Sequence, residues 1–341
     1  MKRFLCVLLL ASLLLTGCTG IGEPEQKKYT ATFLTLFDTI TSMVGYGSSE
    51  EAFREAAQGV HDELLVYHQL FDIYNDYEGV VNLKTLNDTA ALGPVTVDRK
   101  IIDLLLDCKE YAQLTGGRVN VAMGSVLYLW HQAREDGYND PANAYLPDQA
   151  ALAEAAAHTS LDALVIDEEN STVFYADPAL RLDVGAIAKG WALQRVCENA
   201  PEGLLISVGG NVCATGPRSV DGTDWVVGVT DPDGGENYLH TIYLNRGSVV
   251  TSGDYQRAYL VDGVMYHHII DPDTLFPSTH WRSVSIVCAD SGLADALSTA
   301  LFLLPYEEGL ALLEKTGAEA FWIDAAGNRF YSPGFEALIR T

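Results

Sequence analysis

Leu204-Leu205-Ile206-Ser207-Val208-Gly209-Gly210-Asn211 decides the fold class. A short aliphatic run closed by paired glycines is too brief for a helix and reads as a buried strand ending in a turn. Outward from it, strands recur at 225–230, 238–244, 248–252, 255–261 and 282–288, separated by Gly and Pro turns, and a last hairpin covers 319–331. The first third reads differently. Residues 33–46 alternate loosely and predict a strand, but Glu50 to Leu70 carries Phe53, Ala56, Ala57, Val60, Leu64 and Tyr67 at helical spacing. Asp98 is an N-cap for a helix to about Leu114, closed by Gly116-Gly117, and Pro147 starts another to about Ala157. Two short strands follow at 163–167 and 171–176. Arg181-Leu182-Asp183-Val184 reads as a strand end, which Gly185-Ala186 turns into a helix from Ile187 to Asn199. Asp290 caps a helix over 291–304, and Pro305-Tyr306 opens another. Helices gather early and strands late, so the expected class is α+β rather than a doubly wound sheet.

The N-terminus reads as a targeting device. Lys2 and Arg3 precede an apolar run from Phe4 to Leu15, too short to span a bilayer comfortably. Leu15-Thr16-Gly17-Cys18 follows, and the pattern resembles a bacterial lipoprotein signal. That implies a signal peptide over 1–17, a lipid on Cys18, a polar tether over 18–29 and one catalytic domain over 30–341, held at the extracytoplasmic face of the cell membrane. Losing Lys2 and Arg3 takes the basic count from 21 to 19 against 46 acids, moving the formal charge from −25 to −27. So acidic a chain is not built for nucleic acid or for a polybasic hold on anionic lipid, and an anionic substrate needs local donors or a metal. Cys108, Cys197, Cys213 and Cys288 are far apart, lie in apolar surroundings and read as core residues.

Several segments carry chemistry. Asp295 and Thr299 stand at i and i+4 with Ser298 beside them, so hard oxygens share one helical face, as Mg²⁺ requires. The same residues also suit a plain helix start with a threonine bonded back to its own helix. The turn around Asp183-Val184-Gly185-Ala186 exposes backbone N–H groups at a helix N-terminus, with Lys189 in the first turn; this suits phosphate, or equally an ordinary N-cap and a solvated lysine. Gly209-Gly210 permits close approach of a ligand or of another backbone. Thr251-Ser252-Gly253-Asp254 is a small hydroxyl loop of the kind that holds phosphate. His267-His268 precedes Ile269-Ile270-Asp271-Pro272; as strand neighbours the two imidazoles face opposite ways, and one of them can take a proton at neutral pH. No dinucleotide fingerprint, Walker loop, zincin motif or nucleophile elbow occurs. Asp231-Pro232-Asp233-Gly234 begins like a calcium loop, but its twelfth position is Ile242.

In this order the segments resemble the ApbE family of FAD:protein FMN transferases. The resemblance rests on Phe37-Asp38-Thr39, Leu182 to Gly190, Val208 to Asn211, Thr251 to Tyr255, His268 to Pro272 and Ala294 to Thr299. It implies a two-lobed, T-fold-like single domain of antiparallel sheets and packed helices. It implies an enzyme that takes FAD and Mg²⁺, attaches FMN to a Thr or Ser hydroxyl of a partner protein and releases AMP. By the same resemblance the metal ligands are the Ala186 backbone oxygen, Asp295 and Thr299, with Ser298 at a neighbouring position. Phe37, Ile269, Asp183, Lys189 and the Arg118-Val119-Asn120 segment contact FAD, with Tyr74 or Tyr77 beside the ring system. His268 is the base, with Asp254 its rival. The sequence departs from the family at Asn120, where an Asp is usual, and at Leu275, where a Gly is common.

Breaking a pyrophosphate needs charge neutralisation, an in-line nucleophile and removal of one proton. The same groups can direct water at FAD, so a Mg²⁺-dependent FAD pyrophosphatase is the first alternative. A flavin-binding lipoprotein without chemistry is the second. The expected acceptor is an extracytoplasmic electron-transfer subunit.

Overall fold

Phe37 and Asp38 both take positive φ, 53° and 52°, and fold β1 (Lys27–Leu36) back on β2 (Thr39–Gly47) as a two-residue hairpin. The single strand expected over 33–46 is therefore two strands, and β1 begins at Lys27, inside the 18–29 stretch expected as a tether. The computed structural model describes residues 26–234 and 238–340. The expected signal segment, Cys18 and tether residues 19–25 lie outside the described residues.

The chain continues through α1 (Glu50–Phe71), α2 (Leu83–Thr89), β3 (Val95–Thr96), α3 (Arg99–Leu114), α4 (Gly124–Asn139), α5 (Gln149–Ala156), β4 (Leu164–Asp167), β5 (Thr172–Tyr175) and α6 (Ala188–Asn199). Next come β6 (Leu204–Val208), β7 (Asn211–Ala214), β8 (Trp225–Thr230), β9 (Tyr238–Leu244), β10 (Gly247–Gly253), β11 (Tyr259–Val261), β12 (Val264–Tyr266) and β13 (Ser283–Cys288). The chain ends with α7 (Ser291–Leu303), α8 (Tyr306–Leu313), β14 (Glu319–Ile323) and β15 (Arg329–Tyr331). The predicted strand 255–261 forms only from Tyr259, and Arg181 to Val184 contributes a single bridge, Arg181 to Met123.

Eight strands form one sheet in the order β1-β2-β6-β7-β10-β13-β14-β15, every neighbouring pair antiparallel. Period-2 alternation serves both of its faces. Met43, Ile206, Val250, Val284, Ile286 and Trp322 turn toward α1, α3, α6 and α7 in the larger core. Their neighbours Leu205, Val249, Phe321 and Ile323 turn the other way, onto the β8–β9 hairpin with Trp225, Val227 and Ile242. Each such side chain, fully buried, contributes roughly 1.5–3 kcal/mol.

A third cluster makes the smaller lobe: Val126, Trp130 and Ala133 of α4, Leu152 of α5, and Tyr259 and Val261 of β11. Helix α4 was not expected. Its start has no side-chain cap, and Gly124 is there because a Cβ would strike the Arg181 carbonyl. Cys108, Cys197 and Cys213 are buried, Cys288 is half-buried, and all four are free thiols.

Candidate active site

A cavity of about 520 Å³ opens where the small lobe meets the helical face of the large sheet. It is lined by Phe37, Tyr74, Arg118, Val119, Asn120, Asp183, Ala186, Lys189, Gly209, Ser252, His268, Ile269, Asp295 and Thr299. Eight segments between Phe37 and Thr299 therefore bring together most of the residues singled out in the sequence.

Helix α7 supplies the oxygens. Asp290 caps it, with Oδ1 accepting from Leu293 N at 2.7 Å. Asp295 sits one turn in and is only 4% exposed. Its Oδ2 accepts from Gly190 N at 2.9 Å and lies 3.6 Å from Lys189 Nζ. Oδ1 accepts no hydrogen bond among the described residues. Thr299 stands one turn further on, and Ala186 lies across from both on the turn into α6. A carboxylate oxygen without a protein donor, a hydroxyl and a nearby backbone turn make a hard-oxygen set of the type Mg²⁺ accepts. Among the described residues no group of three or more His, Cys, Asp or Glu side chains stands where it can hold a metal. A cation here would complete its shell with water and phosphate. Ser298 is not part of this set. Its buried hydroxyl donates to the Asp295 carbonyl and meets Ser252 Oγ, both at 2.8 Å, because the i+3 position points behind the helix into the sheet.

The loop ahead of α6 is held by Asn87, which sequence reasoning missed. Its Nδ2 donates to Leu182 O at 2.9 Å and its Oδ1 accepts from Leu182 N at 2.7 Å. Asp183 then forms a tight turn, accepting from Gly185 N at 2.8 Å. The nearby Gly209 has φ 57°, and a Cβ there would come within 2.8 Å of the Thr39 side chain, so the close approach at this glycine is to that side chain of β2. Gly210 and Gly253 do not line the cavity; Gly210 supplies the second positive φ of the β6–β7 turn, and Gly253 packs beneath Tyr255.

His267 and His268 lie just past β12, not within a strand, and still part company. His267 is buried; its Nε2 donates to Ser278 O at 2.8 Å and its Nδ1 accepts from Ile269 N at 3.2 Å. Both nitrogens are spent on the loop. His268 is on the cavity wall and its Nδ1 donates to Gln256 O at 3.1 Å, which leaves Nε2 as the acceptor. Burial, then the Arg257 charge, push its pKa down to about 3, so the imidazole is neutral. Asp254, the rival base, does not line the cavity. Its carboxylate lies 3.5 Å from Arg282 Nε, its Oδ1 is buried without a partner, and burial raises its pKa.

Tyr77 is also a brace rather than a wall. Phe37 N donates to His68 Nδ1 at 3.2 Å, His68 Nε2 donates to Tyr77 at 3.1 Å, and the Tyr77 hydroxyl donates to Asp72 Oδ2 at 2.7 Å. Asp72 Oδ1 in turn accepts from Tyr74 N at 2.6 Å. This chain fixes the hairpin turn and the Tyr74 backbone together. The Tyr74 ring lies 4.7 Å from the His131 ring, and burial raises its pKa. The Asn120 amide is taken up internally: Oδ1 accepts from Ala122 N and Nδ2 donates to Thr159 O, both at 2.9 Å. Arg118 donates to Asp273 at 2.6 Å and ties this segment to the loop after His268. In that loop Leu275 has φ 62°, the left-handed backbone that makes glycine the natural occupant there. Sequence reasoning also missed His131, Arg134, Gln256 and Arg257, all on the cavity wall; the spacing Val126, Trp130, Ala133 was the available signal for the helix that carries the first two.

A family model described as the ApbE family matches residues 37–322. A "FAD:protein FMN transferase" of Treponema pallidum is 38% identical over 260 residues, covering 71% of this chain and 70% of its own length. A protein of the same name from Escherichia coli (strain K12) is 27% identical over 352 residues, 97% of this chain and 96% of the other. Among solved structures, the ApbE protein of Thermotoga maritima superposes with TM-score 0.80 at 30% identity, covering 92% of this chain and all of its own. The flavin transferase ApbE of Vibrio cholerae has the same fold, with TM-score 0.74 at 22% identity over 92% of this chain and 99% of the other.

Proposed function

The chain belongs to the ApbE family, and we propose that it transfers FMN from FAD to a protein, with Mg²⁺ bound, a Thr or Ser hydroxyl as the attacking group and AMP as the leaving group. The name shared by its relatives supports the overall reaction. The observation that carries the rest is one cavity holding both His268, with Nε2 free, and the Asp295–Thr299 oxygen pair.

In this reading each group has one task. The isoalloxazine ring lies by Tyr74 and Phe37. The turn from Asp183 to Lys189 binds the pyrophosphate through backbone N–H groups and the lysine. Asp295, Thr299 and the Ala186 carbonyl would hold Mg²⁺, which would supply the charge neutralisation that so acidic a chain lacks. His268 accepts the hydroxyl proton at Nε2, general-base help worth roughly 10²–10⁴-fold. His268 therefore fills the role for which Asp254 was the rival. Within the same proposal, a lipid on Cys18 holds the enzyme at the extracytoplasmic face, and the acceptor is an electron-transfer subunit there.

The test uses the chain from Thr19 onward with FAD, Mg²⁺ and an acceptor carrying a Thr flavinylation segment, followed by acceptor mass and AMP release. One FMN gained per acceptor, lost with EDTA and in Asp295→Ala, is the expected result. Free FMN and AMP without labelling would mean a pyrophosphatase, and full activity in metal-free buffer would remove the metal assignment.

A further inference from the structure

Three cationic side chains from three separate elements converge on the wall that carries His268. Lys189 comes from α6, Arg134 from α4 and Arg257 from the loop between β10 and β11. Among the described residues Arg257 has no partner in the fold, and Arg134 meets only His131 and its chain neighbour Glu135. Eight arginines of this chain stand within 4.0 Å of a carboxylate, as expected where 46 acids face 21 bases. Arg257 makes no ion pair and no side-chain hydrogen bond among the described residues. It is exposed at the cavity mouth, yet its backbone takes φ 45°, a left-handed conformation that costs a non-glycine residue about 1 kcal/mol or more. Its neighbour Gln256 supplies the carbonyl that sets the His268 tautomer, so the turn that strains Arg257 is the one that orients the base.

Arg134 is placed with equal care. Its Nη2 donates to His131 Nδ1 at 2.8 Å, and that imidazole packs against Tyr74. Its acidic neighbour, Glu135, lies 3.6 Å from Nε. Arg257 and Arg134 line the same cavity as His268, Tyr74 and His131, and the charge of each bears on all three rings. Asp183 and Glu135 stand near the same rings, but among the described residues Arg257 itself has no acid within ion-pair distance, and an unpaired guanidinium on a cavity wall awaits an anion.

We propose that Arg134 and Arg257 form, with Lys189, a clamp for the flavin-side phosphate of the nucleotide, the phosphoryl group that is transferred. The identity of the anion rests on the flavin-transfer reading. The acceptor oxygen forms a bond to that phosphorus as its proton passes to His268 Nε2. The phosphorus–oxygen bond to AMP breaks, and its electron pair leaves with AMP. Negative charge stays on the non-bridging oxygens throughout, next to the base by necessity, since the base is one hydroxyl away from the phosphorus.

The test compares FMN with riboflavin, which differ only in this phosphate, by flavin-fluorescence titration of the Mg²⁺-loaded full-length mature chain. The wild type should bind FMN at least about tenfold more tightly than riboflavin, since charge-assisted hydrogen bonds to phosphate are among the strong ones. Arg257→Ala should erase most of that preference while riboflavin affinity holds within about twofold, and Arg257→Lys should keep it in part because the charge remains. Arg257 is exposed and outside the core, so its variants report on binding rather than folding. An Arg257→Ala protein that keeps the full preference for FMN overturns the clamp and leaves the flavin reading standing. A wild type that does not distinguish FMN from riboflavin overturns both.

Discussion

Gly190 N donates to Asp295 Oδ2 at 2.9 Å, and that bond crosses from the first turn of α6 to the second turn of α7. The helices touch here because residue 190 has no side chain: a Cβ would drive into the Ser291 carbonyl and the Asp295 Cβ. Gly190→Ala should therefore separate the helices, cost about 1–3 kcal/mol by overpacking, and loosen the carboxylate. Denaturant unfolding and Mg²⁺ affinity should both fall in this variant. Unchanged Mg²⁺ affinity would show that Asp295 keeps its place without the contact.

The adjacent histidines should separate cleanly on substitution. His268 faces the cavity with a free Nε2, whereas His267 spends both nitrogens on Ser278 and Ile269. His268→Ala should lower kcat by roughly 10²–10⁴-fold with little change in stability. His267→Ala should leave a buried carbonyl and a buried N–H without partners and cost about 1–3 kcal/mol each way the loop cannot relax. Thermal unfolding together with kcat for both variants decides it; a stable but inactive His267→Ala would reverse the two roles.

The parts of this architecture that were legible were those with local causes. The Asp98 and Asp290 caps, the Gly116-Gly117 stop and the buried strand Leu204–Val208 each act within a few residues and stand where the sequence predicts. Helix α4 was hidden because its start has no cap and its position is set by Arg181, far away in sequence. The β11–β12 turn was overlooked although Asp262-Gly263, with φ 51° and 79°, is a strong hairpin signal. The hairpin at Phe37-Asp38 carries no such signal, since phenylalanine is a poor residue for left-handed backbone; the His68–Tyr77–Asp72 chain holds it instead. Of the residues singled out by type, Asp295, Thr299 and His268 line the cavity, and only the fold shows that Ser298, Asp254 and Tyr77 do not. Arg134 and Arg257 sit in no pattern that periodicity or spacing can reveal.

Proton affinity gives a prediction with a definite sign. Burial and Arg257 lower the His268 pKa to about 3, and burial also lowers those of His267 and His131. Below a pH of about 6.5 the unfolded chain binds protons that these folded histidines refuse, so their effect on stability is absent at higher pH and turns against folding as pH falls. kcat/KM, which reports the free enzyme, should show no limb from this base between pH 8 and 5. Bound phosphate should raise the His268 pKa, so a limb in kcat should lie at higher pH than in kcat/KM. A kcat/KM limb near 6.5 would mean an imidazole as solvated as a free one.

Asn87 offers a test of how the turn leading into α6 is held from behind. Its side chain pairs with both the N–H and the carbonyl of Leu182, the residue before Asp183, at 2.7 and 2.9 Å. Leu182 is itself buried, so water does not replace these bonds without rearrangement. Asn87→Ala should cost about 1–3 kcal/mol and weaken FAD binding, although Asn87 does not line the cavity. Asn87→Asp is the more informative change, because it keeps the acceptor for Leu182 N and turns the donor for Leu182 O into a second oxygen. It should therefore be at least as damaging as the alanine at neutral pH and recover in part as acid protonates the carboxylate. Unfolding by denaturant at pH 7 and pH 5, with FAD affinity at each, distinguishes this from a simple loss of packing, which would show no pH dependence between the two variants.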